Sequence, residues 1–183
     1  MPLFEQPELR TARLRLREVR PDDAADLFAV HSDPAVMRYW GYPAWTDMRQ
    51  AHDKIAQIAQ QRATLPLMVW AIADAASDRL IGSTALFSIN TDQGRAEIGY
   101  SLARAWHGQG LASEALQAVF SHAFQTVALR RIEADVDPRN GPSRRLLERF
   151  GFVEEGLLRE RWQVEGELCD SLLYGLLRRD WRA

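Results

Sequence analysis

The stretch "HGQGLASEAL", His107 to Leu116, sets two glycines one residue apart just before a helical pattern. A helix that begins after a glycine-rich loop offers backbone N–H groups with no partner, and its macrodipole adds positive potential there. A Cβ on either glycine would hold an anion away from the backbone. The loop His107, Gly108, Gln109, Gly110, Leu111, Ala112 therefore has the composition of a phosphate site. The same spacing also serves a plain strand-to-helix turn. Two common phosphate motifs are absent: no G-K-[ST] follows the glycines, and the third glycine of the dinucleotide fingerprint is replaced by Ser113.

Two carboxylates could work near this turn. Glu97 lies on the segment that leads into it and can take a proton there; a glutamate on a half-buried strand has the same sequence signature. Asp170 sits in the apolar run "LCDSLLYG", where an unpaired carboxylate is costly, so it either orients a substrate or satisfies an internal hydrogen bond. His31, His52 and His122 are scattered on helical segments and show no metal-ligand spacing. The single cysteine, Cys169, rules out an internal disulfide and a CxxC site, so no metal is expected.

The elements that must position these residues follow from periodicity. "RLRLREV" alternates and reads as a first strand. Pro21, Asp22 and Asp23 open a helix, because acids suit its positive end. The aromatic segment "RYWGYPAW" interrupts the pattern, and a long helix follows over about 47–61, with Ala51, Ile55 and Ile58 on one face. Residues 66–75 and 80–89 read as a hairpin turning at Ser77 and Asp78, and "RAEIGYSLA" as a further strand. A helix over about 110–126, the strand "RRIEADV", the short helix "SRRLLERF" closed by Gly151, and a final strand pair turning near Glu165 and Gly166 complete the chain. This order predicts one α/β domain with a mixed sheet.

Composition narrows the function. With 183 residues and 46% hydrophobic content, the chain suits one domain with a real core. A net charge of −2 supplies no global basic field, so no direct nucleic-acid partner is expected. No apolar run approaches the ~20 residues of a membrane span, and the first residues, "MPLFEQPELRTARL", contain acids and no apolar stretch of the signal-peptide kind. A cytoplasmic location is the expectation. The paired arginines at 130–131, 144–145 and 178–179 read as solvated faces.

Three stretches, "EIGYSLARAWHGQGLASEAL", "NGPSRRLLERFGFVEEGLLRE" and "DSLLYGLLRRDW", resemble the GCN5-related N-acetyltransferases, and more narrowly their RimJ/RimL branch, named for acetylating the N-termini of ribosomal proteins. The resemblance runs from "TARLRLREV" to "RRDW", with its core motifs in residues 95–156. It implies a GNAT fold over 1–183: a mixed, mostly antiparallel sheet of six to seven strands flanked by helices. The family's acyl-CoA loop, [QR]-x-x-G-x-[GA], falls on residues 107–112, with His107 departing from the first position. By resemblance, backbone amides of Gly108 to Ala112 and the adjoining Ser113 wrap the pyrophosphate of acetyl-CoA. Ile98, Tyr100 and Leu102 flank the pantetheine arm, and backbone N–H groups of that strand face the thioester carbonyl.

The resemblance also assigns the transfer. A primary amine attacks the thioester directly, so it must first be neutral; an α-amino group, of pKa ~7.7–8.0, is readied more easily than a lysine at ~10.4. Glu97 stands where this branch often carries a carboxylate. Many relatives place a tyrosine acid where this chain has Leu147; Ser143 matches the serine given that role in the RimL-like branch. Asn140 matches the pantetheine-contacting asparagine and is also a helix N-cap candidate, with Pro142 just inside the helix. A glutamate proposed as base in some relatives aligns with Trp162, and Glu160 lies two residues away. Trp40, Tyr42 and Trp45 fall in the segment that helps form the acceptor cleft; aromatics packing a loop onto the core would look the same. The implied partners are acetyl-CoA and an amine acceptor, either a protein N-terminus or a small amine, and the branch allows a homodimer. A non-catalytic acyl-CoA sensor is the competing class, because the tyrosine and the glutamate are both replaced.

Overall fold

The structure is a computed structural model and describes residues 6–182; residues 1–5 of the N-terminal stretch read above lie outside the described residues. One mixed sheet of eight strands, in the order β1-β2-β3-β4-β5-β6-β8-β7, runs through the domain. Its strands are β1 (Leu9–Arg10), β2 (Leu14–Glu18), β3 (Met68–Asp74), β4 (Leu80–Asn90), β5 (Arg95–Leu102), β6 (Arg131–Val136), β7 (Val153–Val164) and β8 (Glu167–Leu177). Every neighbouring pair is antiparallel except β5 and β6. The count of six to seven strands is corrected to eight. The extra strand, β1, has two residues and cannot display a period-2 pattern.

Helices cover both faces. They are α1 (Ala24–His31), α2 (Pro34–Met37), α3 (Arg49–Thr64), α4 (Leu111–Ser121) and α5 (Gly141–Phe150). On one face Leu111, Ala115, Val119 and Phe120 of α4 and Leu147 and Phe150 of α5 pack on Leu16, Trp70, Ile98, Ile132 and Tyr174. On the other, Leu27 of α1 and Ala51 and Ile55 of α3 pack with Trp45 on Ala71 and Leu80. β3 is buried along almost its whole length because both faces are covered there.

Two helix ends differ from the sequence reading. The helix expected over 110–126 stops as α-helix at Ser121, and His122–Thr126 continue as a single π-turn closed by Val127 N–H onto the His122 carbonyl. The helix expected over 47–61 runs Arg49–Thr64, with Asp47 just ahead of it accepting from the Arg49 N–H. Gly151 closes α5 at φ 95, where a Cβ would meet the Asp180 carbonyl oxygen at 2.5 Å. Glu165 (φ 50) and Gly166 (φ 88) give two successive left-handed residues in the turn between β7 and β8, the pattern of a type I′ hairpin.

Candidate active site

The parallel pair β5 and β6 is the centre of the site. Its register holds for three positions, Arg95↔Arg131, Ala96↔Ile132 and Glu97↔Glu133, and then ends. β5 continues to Leu102 and β6 to Val136, so the strands diverge and leave their facing edges unpaired over residues 98–102 and 134–136. A sheet that opens in its middle exposes backbone donors and acceptors to whatever lies between. Period-2 alternation sorts the side chains: Ile98, Tyr100 and Leu102 turn toward α4 and α5, while Glu97, Gly99 and Ser101 turn to the opposite face.

At the end of β5 the chain passes a short 3₁₀ turn and enters the glycine loop. The His107 ring Nε2–H donates to the Leu102 carbonyl at 2.8 Å, tying the loop to the strand. Gly108 (φ 74) and Gly110 (φ 76) are both left-handed, a conformation that costs an L-residue about 1–2 kcal/mol. The first helical bond is Glu114 N–H to the Gly110 carbonyl at 3.0 Å. Among the described residues, the backbone N–H groups of Gly108, Gln109, Gly110, Leu111, Ala112 and Ser113 have no protein acceptor. Six consecutive free donors at a helix N-terminus fit the pyrophosphate of coenzyme A.

A further cation stands at this loop that sequence reasoning missed. Arg13, in the β1–β2 turn, donates from Nη1 to the Gln109 carbonyl at 2.9 Å and pairs with Glu114 at 2.7 Å. Its Nη2 lies 3.7 Å from where a Cβ on Gly110 would be. Nothing in "RTARLRL" signals this, because the contact spans about a hundred residues of chain.

On the α5 side of the opening two hydroxyls meet: Tyr100 Oη and Ser143 Oγ are 2.7 Å apart. Burial pushes the Tyr100 phenol up to about 12, so it stays protonated across the working range. With Tyr100 donating, Ser143 keeps its own O–H free to donate elsewhere. Asn140 caps α5, its Oδ1 accepting from Ser143 N–H at 3.2 Å; the side-chain amide nitrogen is not used by that cap. Leu147, where relatives carry a tyrosine, is fully buried in the core.

On the opposite face, Glu97 occupies the last position of β5 paired with β6, and its side chain makes no hydrogen bond or ion pair among the described residues. Its register neighbour Glu133 is held by Arg131 at 2.7 Å and Arg95 at 3.3 Å. Asp170 accepts from the Glu160 backbone N–H at 2.8 Å and is thereby engaged in shaping β7.

The aromatic segment is drawn mainly to His31. Trp45 is buried, with its ring stacked 4.4 Å from that of His31; Trp40 meets the same ring edge-on at 5.5 Å; Tyr42 shares a 3.2 Å hydrogen bond with His31 Nδ1. Burial, with the Lys54 charge second, pulls His31 down to about 4, and burial raises Tyr42 to about 12. Trp45 and Tyr42 pack on His31 and also line a cavity with Gln50, Asp53, Lys54 and Gln57. The segment touches the sheet opening through Gly41, against the ring of Trp162. Among the described residues no group of three or more His, Cys, Asp or Glu is arranged to hold a metal ion, and no helix is long and apolar enough to cross a membrane.

A free-amide nest at the end of a strand that splays from its parallel neighbour defines a protein that holds an acyl-CoA and opens its thioester to a nucleophile. The acetyltransferase (GNAT) domain family matches residues 13–153, and the chain belongs to that family. It is an N-acetyltransferase that draws its acetyl group from acetyl-CoA. The chain is 39% identical over 173 residues to the uncharacterized N-acetyltransferase p20 of Bacillus licheniformis, covering 94% of this chain and 97% of that protein. It is 37% identical over 84 residues to the [ribosomal protein uS5]-alanine N-acetyltransferase of Escherichia coli, covering 46% and 43%. The spermidine N-acetyltransferase of Vibrio cholerae, solved with CoA and spermine, shares the fold with a TM-score of 0.80 at 24% identity, over 93% of this chain and 98% of that one.

Proposed function

We propose that the acceptor is the α-amino group of a protein N-terminus, of the ribosomal-protein type. The observation that carries this reading is the similarity to the uS5-alanine N-acetyltransferase, which acts on such a protein. The chemistry of the opening supports it. Glu97 is the uncommitted carboxylate at the mouth of the splay, and an α-amine of pKa ~7.7–8.0 needs only a weak base to become neutral near pH 7.

In this reading Glu97 takes one proton from the incoming ammonium, and the neutral nitrogen attacks the thioester carbon. The carbon–sulfur bond breaks as the amide forms. Ser143 gives its hydroxyl proton to the departing sulfur and is reprotonated from solvent through its hydrogen bond with Tyr100, while the second proton released by the nitrogen leaves to water on the open face. Unpaired N–H groups of β5 meet the charge that develops on the carbonyl oxygen. Asn140, Ile98, Leu102 and the loop 107–113 hold the cosubstrate, and the aromatic cluster of Trp40, Tyr42 and Trp45, together with Asp170, borders the acceptor.

A small amine is the second reading, favoured by the fold shared with the spermidine enzyme. Thiol release from acetyl-CoA, measured against pooled N-terminal peptides and pooled small amines, separates the two. Release with peptides supports the proposal; release only with small amines overturns it in favour of metabolite modification. CoA binding without release in either pool would point to a sensor.

A further inference from the structure

Asp135 was not singled out by its sequence, yet it lies inside the opening. It is two residues beyond Glu133, the last β6 residue with a β5 partner, or roughly 6.6 Å further along at ~3.3 Å per residue. Ile132, Ala134 and Val136 are buried under α4 and α5, so Asp135 turns to the other face, which those helices leave uncovered. In the acetyl-transfer reading, that uncovered face is the one from which the acceptor approaches the thioester.

Two residues face this carboxylate, Ser171 and Arg161, and a third, Trp162, reaches it through Ser171. The Trp162 indole N–H donates to Ser171 Oγ at 3.2 Å, and the Ser171 hydroxyl donates to Asp135 Oδ1. An indole nitrogen can only donate, so the direction of this chain is fixed and Asp135 is its terminal acceptor. Asp135 Oδ2 faces Arg161, whose Nε is 3.8 Å away, beyond hydrogen-bonding distance. The Arg161 guanidinium lies 5.5 Å from the centre of the Trp162 ring.

Neighbours on a regular strand point to opposite faces, and here Arg161 and Trp162 both reach one site. A bulge permits it: the β7–β8 register shifts between Leu158 and Trp162, Glu160 is left-handed at φ 52, and Asp170 pins the Glu160 N–H. Gly41 completes the wall, since a Cβ there would stand 3.2 Å from the Trp162 ring. Of the other charges on this face, Glu133 is engaged with Arg95 and Arg131 and Arg139 with Asp137 and Glu167, while Glu97 is left unpaired among the described residues.

We propose that Asp135, Ser171 and Trp162 form the subsite that receives the acceptor's positively charged amine before Glu97 removes its proton, and that Arg161 is the internal cation it displaces. The position of Arg161 marks where a cation satisfies the carboxylate and the indole face together. Its hold is loose: one contact outside hydrogen-bonding range, on a side chain 51% exposed. The proposal rests on the acetyl-transfer reading above and adds where the amine docks.

The test is calorimetry on the full chain saturated with CoA. It is titrated with a hexapeptide bearing a free N-terminal alanine, with spermidine, and with the same hexapeptide N-acetylated. Thiol release from acetyl-CoA is assayed in parallel. The wild type should bind at least one charged amine and not the capped peptide. Asp135→Asn and Ser171→Ala should weaken that binding, the former tenfold or more, with CoA affinity unchanged. Arg161→Ala should tighten it at least threefold, an opposite sign that a merely structural role would not produce. Unchanged amine affinity in Asp135→Asn and Arg161→Ala, with wild-type turnover intact, overturns the subsite and leaves the acetyltransferase reading standing. The expected affinity pattern without thiol release keeps the subsite and overturns the proposed acceptor chemistry. Failure of the wild type to bind either amine overturns the subsite.

Discussion

Replacing Gly110 by alanine separates two costs that the bare glycine avoids. The first is conformational. At φ 76 an L-residue loses about 1–2 kcal/mol, which in a domain of this size lowers Tm by roughly 2–8 °C. Nothing steric adds to it, because the nearest atom to the new methyl is Arg13 Nη2 at 3.7 Å, an ordinary contact. The second cost appears only with coenzyme A. If the pyrophosphate sits on the free N–H groups of this loop, a methyl on Gly110, beside Arg13 Nη2, holds it off the backbone. Losing two charge-assisted bonds at ~1.5–3 kcal/mol each weakens binding by about 3–6 kcal/mol, a hundredfold or more in Kd. Gly166→Ala is the matched control: it sits at φ 88 with nothing within 4 Å of the added Cβ, in the β7–β8 turn. Both variants should lose similar Tm, and only Gly110→Ala should lose CoA affinity by calorimetry. Equal CoA affinity in the two variants would refute the placement of the pyrophosphate on this loop. Gly110→Glu, which adds a negative charge, should abolish binding.

Ser143→Ala should lower kcat about tenfold near pH 7 while leaving the KM for acetyl-CoA nearly unchanged. The deficit should shrink above pH ~8.5, where the thiolate departs without a donor; an unchanged rate removes Ser143 from the transfer. Glu97→Gln should remove the acidic limb of the kcat/KM–pH profile, and an unaltered limb would assign the proton to water or to another carboxylate. His31 provides a stability test. Its folded pKa of about 4 lies below the ordinary ~6.5, so below pH 6.5 the unfolded chain binds the extra proton. The stability present above about pH 6.5 should fall as pH approaches 4, by about 3 kcal/mol, and His31→Gln should flatten that part of the curve in urea titrations. Equal pH slopes for the two proteins would show that His31 is not the group responsible.

How much of this was legible in the chain depends on the range of the interaction involved. Glycine conformation and helix capping are local, so Gly108, Gly110, the Asn140 cap and the Gly151 terminus follow from a few neighbouring residues. Alternation in "RIEADV" and "EIGYSLA" assigns each side chain to a face, because the strand period is two whatever the partner. Those patterns, with the resemblance they carry, were enough for the family, the cosubstrate and the order of the longer elements, but not for the two-residue β1 or the short α2. They do not say where two strands part. The end of the β5–β6 register after Glu97 and Glu133 is set by how β4 and β8 hold those strands on either side. Only that tertiary fact turns Asp135 from a surface residue into a wall of the opening. The same holds for the Tyr100–Ser143 contact, between residues 43 apart, and for Arg13 at the α4 N-terminus. Trp45 combines two features that its aromatic neighbours alone do not separate: its ring is buried against His31, and with Tyr42 and Lys54 it lines a cavity. The sequence by itself determined the strand faces, the glycine turn and the chemistry that a nest of amides invites. The tertiary structure decided which carboxylates and hydroxyls share the opening, because that depends on contacts between segments distant in the chain, which no local pattern encodes.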